Sequence, residues 1–399
     1  MRDALVMIQR TGQRSSLLCM ATGFLLAFQV CLTFLLFQAN PQLGAATTIG
    51  VTLGWLMIVF GYSVVNPPPR RDQLTFPKPL YWIAMYLGFG VASLMWTGAG
   101  SVAVAACYWS ATAADVIIIY LLLSYEPVEQ RAFGIMYGFI SGAAAVALIA
   151  WVIPATDDLR LGHEEFLHPN LIGFQFAIAA LLAGFLAKEN KNSMWLAGGF
   201  VVTLIRTLSK GAIVGFAFAG LYFLLRGLKL PPRARAYIGV VSTVVLLGFW
   251  GLLETYLDLY TQGRNLETLT GRTYIWTQSL EIAMEKPWFG HGFDSFRWLF
   301  PPFDNFQPWQ AHNEVIQQFF AYGIVGVLVV GGAYWSFYRQ ARVCTKDSLR
   351  SLAIALLILT LVRGLVDTDR FELCFPLWLM TLLAVPLAHH VGPKSISPS

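Results

Sequence analysis

Runs of uninterrupted apolar residues recur along this chain, separated mostly by short polar breaks. They extend from Leu17 to Gln38, Leu43 to Val65, Pro79 to Trp96, Ser101 to Ser124, Phe133 to Ile153, Leu171 to Ala187, Met194 to Ile205, Ala212 to Leu225, Tyr237 to Leu253, Val315 to Phe337, Leu352 to Leu365 and Phe375 to His389. A helix needs roughly 20 apolar residues to cross a bilayer core and tolerates about 17, so the pattern predicts an all-α, polytopic membrane protein of about twelve transmembrane helices. Runs below that limit are expected to be tilted, broken or re-entrant. The first run is long enough to span and lacks a small-residue cleavage site, so it is expected to remain as an anchor.

One polar break is unlike the others. Residues 254–311 hold no spanning run, and a connection of this length is expected to be functional. The chain therefore divides into N-terminal membrane helices over 1–253 (about nine spans), a large loop or lid over 254–311, and C-terminal membrane helices with a tail over 312–399 (about three spans). Within the loop, Ile275, Trp276, Ser279, Leu280, Ala283 and Met284 recur at helical spacing, with Thr270 as the expected N-cap and Pro287, Gly290 and Gly292 as the stop. Such a helix suits the outer leaflet surface. The stretch after it, WFGHGFDSFRWLFPPFDNFQPWQ, has the aromatic, Pro and Gly content of a folded interfacial lid.

Composition narrows the solvent. With 56% hydrophobic residues, 12% charged residues and a mean hydropathy of +0.60, the chain cannot cover a water-soluble globule. Lys and Arg set the orientation, because cytoplasmic loops carry an excess of them. Counting from a cytoplasmic N-terminus, the inside segments hold Arg70, Arg71, Lys188, Lys191, Arg226, Lys229, Arg339 and Arg342 among others, and the outside segments hold about half as many. The outside segments also collect most of the acids, including Asp157, Asp158, Glu164 and Glu165. Both termini are then cytoplasmic, and the net charge of +5 is read as anchoring to anionic lipid and not as nucleic-acid binding. The five cysteines show no CxxC spacing and are read as packing residues.

Five short motifs carry a resemblance. HPNLIG from His168, TLSKGA from Thr207, TGRTYIW from Thr270, KPWFGHGFDSF from Lys286 and HNEVIQQFFAYGIVG from His312 occur in this order, two before, two within and one after a large outside loop. In this they resemble the O-antigen ligase and O-antigen polymerase superfamily. The resemblance implies a metal-independent membrane glycosyltransferase of the bacterial inner membrane with its active site on the periplasmic face. It also implies an undecaprenyl-diphosphate-linked glycan as donor, lipid A core or another glycan as acceptor, membrane lipids as partners, and neither nucleotide sugar nor cofactor.

The residues can be weighed beside that resemblance. Arg206 and Lys210 stand four apart in a short, otherwise apolar hinge on the side where positive charge is disfavoured, which points to an anionic guest. The competing reading is snorkelling to lipid headgroups. Lys210 occupies a place where the family usually shows Arg, so a point-charge contact is expected there in place of a bidentate one. Arg272 follows the expected cap and would flank the N–H groups of a helix start, a natural diphosphate site; Arg264 lacks such a context and is a weaker candidate.

His312 opens the next span where loop meets membrane, and it is read as the base on the acceptor hydroxyl. Asn313 would orient the imidazole or a sugar, and Gly323 and Gly326 would admit a close helix neighbour. His168 and Asn170 would hold substrate hydroxyls or cap their helix. Arg363, Asp367, Asp369, Arg370 and Glu372 crowd one outside turn, either pairing with one another or lining a sugar cleft. Asp115 is expected to hydrogen-bond a neighbouring helix. No metal-ligand spacing is visible among the histidines.

The motifs do not separate a ligase from a polymerase, because both reactions share a donor and differ only in the acceptor; a ligase is the slightly preferred expectation. The rival class is a lipid-linked-sugar flippase or transporter, which would place its charges near the midplane and show repeat symmetry.

Overall fold

The computed structural model describes residues 17–32, 41–67, 76–153, 160–163, 167–227, 231, 233, 236–237, 239–241, 269–302 and 307–391. These form helices joined by turns; the only strand-like pairings among them are the single bridges His163 to Leu167 and Cys344 to Val391. In chain order the helices are α1 (Leu17–Leu32), α2 (Pro41–Val65), α3 (Lys78–Ser93), α4 (Val102–Leu123), α5 (Val128–Val152), α6 (Pro169–Leu186), α7 (Asn192–Arg206), α8 (Lys210–Gly227), α9 (Leu269–Ala283), α10 (Phe296–Leu299), α11 (Glu314–Val343), α12 (Asp347–Gly364) and α13 (Leu377–His389). The chain is a multi-pass membrane protein. Five helices, α2 from Leu43, α4, α5, α6 and α11, are long and apolar enough to cross a bilayer, and α1 and α13 are shorter apolar helices. Most of the run from Tyr237 to Leu253, and the loop up to Thr268, lie outside the described residues.

Burial separates inner from lipid-facing helices. The apolar window of α6 is 89% buried and that of α2 only 17%, so α6 is packed all round and α2 presents Met57, Ile58, Phe60 and Val64 outward. Close approach is arranged by small residues, as expected where lipid removes the hydrophobic drive between helices. A Cβ on Gly138 or Gly142 of α5 would strike the backbone of α1 at Met20 or Phe24, and one on Gly215 of α8 would meet the Leu359 carbonyl oxygen of α12 at 2.8 Å.

Helix starts follow local chemistry. Ser101 caps α4 by accepting from the Val104 N–H at 3.4 Å, and His168 caps α6 by accepting from the Asn170 N–H at 3.3 Å, with Pro169 at the first position. Asn313 caps α11, its Oδ1 accepting from the Ile316 N–H at 3.1 Å.

α11 is broken at Gly323, which has φ +65. The lid segment after α9 fills the break. The Ile324 and Val325 N–H groups donate to the Pro287 and Trp288 carbonyls at 2.8 and 3.3 Å, and those of His291 and Gly292 donate to Phe320 and Ala321 at 3.0 and 2.8 Å. Irregular backbone at this depth persists because protein groups satisfy it. The expectation that Gly323 admits a second helix is therefore corrected: its neighbour is the backbone of Pro287 and Trp288, and a Cβ on Gly326 would strike Tyr322 of its own helix.

α9 lies against α11 through Ile275 and Ala283, which form a second apolar cluster with Phe296, Phe300, Ala311 and Phe320. Leu280 and Met284 stay exposed. The helix begins at Leu269, so Thr270 sits inside its first turn and is not the cap. Asp115 makes no hydrogen bond among the described residues; it lines a small cavity with Thr22, Gln29, Thr52 and Trp55.

Candidate functional site

One end of the bundle, the outer end in the orientation expected from the loop charges, gathers the turn between α7 and α8, the start of α11, the first turn of α9 and the loop after α12. Arg206 ends α7 and Lys210 opens α8; Arg206 is exposed and Lys210 partly so. Leu208 between them has φ +51, which tightens the turn. The turn is held from α6 and the loop before it. The Leu161 N–H donates to the Arg206 carbonyl at 3.1 Å, and the buried Arg160 donates from Nε to the Thr207 carbonyl at 3.2 Å and from Nη2 to the Asn170 Oδ1 at 2.6 Å. Asn170 and His168 are thus engaged in holding backbone and side chain at this turn. Gly211, next to Lys210, sits against Val366 and Arg363, which brings α8 beside the loop after α12.

Asp367 is the centre of that loop. It accepts from the Arg363 Nη2 at 3.0 Å, from the Gln310 Nε2 at 3.2 Å, from the Thr368 N–H at 3.0 Å, and bonds the His312 Nδ1 at 3.1 Å. Burial by itself would raise the Asp367 pKa, but Arg363, then His312 and Arg272, outweigh it and hold the carboxyl well below the usual range. An ionised carboxylate can only accept, so His312 Nδ1 carries a proton, and in the neutral imidazole Nε2 is then the acceptor on the ring. His312 has φ +51, a strained conformation costing about 1–3 kcal/mol, fixed between Ala311, bonded to Trp276 and Gln317, and the capped start of α11.

Arg272 is 8% exposed and forms no ion pair with a described residue, although its charge reaches Asp367. A cation this buried calls for an anion. Arg363 is more enclosed: its guanidinium carbon lies 4.2 Å from the Phe174 ring centroid, and Nη1 lies 3.1 Å from the Cys374 Sγ.

The structure brings Arg206, Lys210, Arg272 and His312 to one end of the molecule, with His168 and Asn170 beneath them. Asn313 is there too, but its amide is spent on structure, Nδ2 donating to the Leu365 carbonyl at 3.0 Å. Arg264 lies outside the described residues. Sequence reasoning passed over Arg160 and did not choose Asp367 from its charged turn. The first carried no signal beyond being a cation in an acidic outside loop, and the second needed the fold to place it beside His312. Glu314 was also missed: buried at the start of α11, it accepts from the Tyr334 hydroxyl at 2.7 Å and the Cys374 N–H at 2.8 Å, tying α11 to the loop after α12.

Residues 193–331 match the family model described as O-antigen ligase. Over this stretch the chain is similar to the O-antigen ligase family. It is also similar to the exopolysaccharide production protein ExoQ of Rhizobium meliloti (strain 1021), 21% identical over 381 residues that cover 86% of this chain and 83% of that protein. The part matched by the O-antigen ligase model runs from α7 into α11 and so contains Arg206, Lys210, Arg272, His312 and Asn313. Asp367 and Arg363 lie beyond it, and they meet the matched part through the His312 hydrogen bond.

Proposed function

We propose that this protein is a member of the O-antigen ligase and polymerase superfamily and a metal-independent glycosyltransferase that moves a glycan from a polyprenyl-diphosphate carrier, undecaprenyl diphosphate in a bacterium, onto an acceptor hydroxyl. The work is done at the periplasmic face of the inner membrane. The observation that carries this reading is the pairing of His312 Nδ1 with an ionised Asp367 beside the buried Arg272. A base is oriented there within reach of cations that suit a departing diphosphate.

In the reaction the anomeric C–O bond to the diphosphate breaks and its electron pair stays on the phosphate oxygen. The acceptor oxygen forms the new glycosidic bond, and its proton passes to His312 Nε2. Arg272 stabilises the charge that grows on the diphosphate, Arg206 and Lys210 hold the carrier, and Arg264 is a weaker candidate for the same task. Asp367 keeps His312 in the productive tautomer. His168, Asn170 and Asn313 serve by fixing the elements around the site. Lipid A core as acceptor makes the protein a ligase; a second lipid-linked repeat unit makes it a polymerase, a reading favoured by the similarity to ExoQ, an exopolysaccharide production protein.

The test is transfer by purified protein in a bilayer from a polyprenyl-diphosphate-linked glycan, in EDTA and without nucleotide sugar. Activity that disappears with chelator and returns with a divalent ion would overturn the mechanism. A deletion strain that accumulates naked lipid A core and long-chain donor indicates the ligase, and one that accumulates single-repeat donor indicates the polymerase. Topology reporters at Lys229 and Lys346 should read cytoplasmic and one at Asn305 periplasmic. A cytoplasmic Asn305 would place the site on the wrong side.

A further inference from the structure

A second group of cations stands on the lid, and the mechanism above does not use it. Asp294, with φ +58 just before α10, is buried, and its Oδ1 accepts from the Arg370 Nε and Nη2 at 3.1 and 2.6 Å. The Arg297 guanidinium carbon lies 4.0 Å from the Trp309 ring centroid, and that of Arg370 lies 5.0 Å from the same centroid. Two guanidinium groups thus share one ring, and the carboxylate beside them is committed to Arg370. Among the described residues Arg297 forms no ion pair; burial and the neighbouring Arg370 charge both pull its pKa down.

The cluster has the chemistry of a ligand site. Trp309 is 50% exposed and Trp298 52%, so aromatic faces open to water beside a fork of N–H donors. An aromatic face accepts the apolar side of a sugar ring, and a guanidinium fork accepts a carboxylate or phosphate bidentately. The place is also right. Trp309 precedes His312 by three residues, at most about 11 Å of extended chain. Gln310, between them, donates to Asp367 at 3.2 Å, and Arg370 follows Asp367 by three residues.

We propose that Arg297, Arg370 and Trp309 form a subsite for an acidic sugar of the glycan that is transferred or extended. The proposal rests on the glycan-transfer reading for its biological setting but not for its binding chemistry. Arg297 supplies the uncommitted charge, Trp309 the platform, and the Arg370 to Asp294 pair fixes the geometry.

The experiment uses the full chain in nanodiscs, a glucuronate-containing tetrasaccharide, and the same tetrasaccharide with its carboxyl groups reduced to alcohols, with binding followed by calorimetry. The acidic sugar should bind at least about tenfold more tightly than the reduced one, with the gap narrowing as salt is raised. In Arg297→Gln the ratio should fall towards one, and Trp309→Ala should weaken both sugars. Equal binding by the wild type, no binding of either sugar, or an unchanged ratio in Arg297→Gln would overturn the subsite. A protein that discriminates the sugars but transfers no glycan sinks the transfer reading alone. Turnover assays with the acidic residue on the lipid-linked donor in one arm and on the acceptor in the other assign the source. The arm in which Arg297→Gln lowers the acidic-to-neutral rate ratio is the one the subsite serves; no fall in either arm refutes the proposal.

Discussion

The molecule sets a histidine against a carboxylate at each end of the bundle, and only one pair belongs to the proposed site. At the outer end His312 meets Asp367, whose side chain is 6% exposed and also bonded to a nearly buried Arg363. At the other end His390 meets Glu129, which is 35% exposed and also takes the Lys346 ammonium at 2.8 Å. The inner cluster closes on itself: its cations have their carboxylate, and it ties α5 to the turn between α11 and α12 and to the end of α13, where the Thr345 N–H also donates to the His390 carbonyl at 2.7 Å. The outer cluster does not close. Arg272 is buried without a described ion-pair partner, and His312 is held on left-handed backbone with one ring nitrogen left over. What separates a clasp from a site is therefore surplus charge and a strained, enclosed setting, not the residue types.

The largest effects should come from the two groups proposed to meet the reacting atoms. Arg272→Ala should lower the single-turnover rate by about 10²-fold or more, as removing a preorganised donor does, and Arg272→Lys should recover only part of it because the planar fork is lost. His312→Ala should lower the rate by about 10²-fold or more while donor affinity persists, since the base acts on the acceptor. If His312→Ala weakens donor binding as much as Arg206→Ala does, the division between acceptor and donor sides is wrong.

How far the sequence reveals this site depends on what each residue needs in order to act. The apolar runs predict the helices, because a spanning helix is set by local composition, and the caps Ser101 and Asn313 agree with them. The cations of the hinge and of α9 stand out because charge is costly at those places. The partners do not. Asp367 lies 55 residues from His312, and the choice between mutual pairing and a working role depends on which helix the loop folds against. In the same way Gly323 reads as a helix-packing glycine, whereas the structure uses it to break α11 so that the lid backbone can enter. Long-range backbone substitution of this kind leaves no period in the sequence.

A middle-sized effect should follow at Asp367. Asp367→Asn keeps the shape but leaves Arg363 buried without its counter-charge, so stability should fall by about 3–5 kcal/mol, and the imidazole loses the acceptor that fixes its tautomer. The pH dependence has a definite sign. Because the folded-state pKa is depressed, the Asp367 contribution is fully present above its unfolded value of about 4 and is lost as the pH falls from there towards the folded value. Thermal unfolding in nanodiscs between about pH 6 and pH 3 should show a wild-type decline that Asp367→Asn lacks. Parallel curves would remove Asp367 from its central place. Arg206→Ala should be milder, weakening donor binding about tenfold with the rate at saturation nearly intact, since Arg206 is exposed at the edge of the turn.

The smallest effect is the one that tests the comparison itself. Glu129 and Lys346 are each about a third exposed, and a pair this open to solvent is worth only about 0–1 kcal/mol. Glu129→Gln and His390→Ala should therefore shift unfolding slightly and leave glycan transfer within about twofold of wild type. The reason is geometric as well as energetic: the helices that carry the outer groups are also joined by the α8 to α12 packing at Gly215 and by the lid backbone threaded into the α11 break, neither of which involves the inner clasp. Single-turnover rates for the two inner variants beside His312→Ala make the measurement. A loss at the inner end comparable with that at His312 would mean that the two histidine and carboxylate pairs are coupled through α11 and α12, and the contrast drawn between clasp and site would fail.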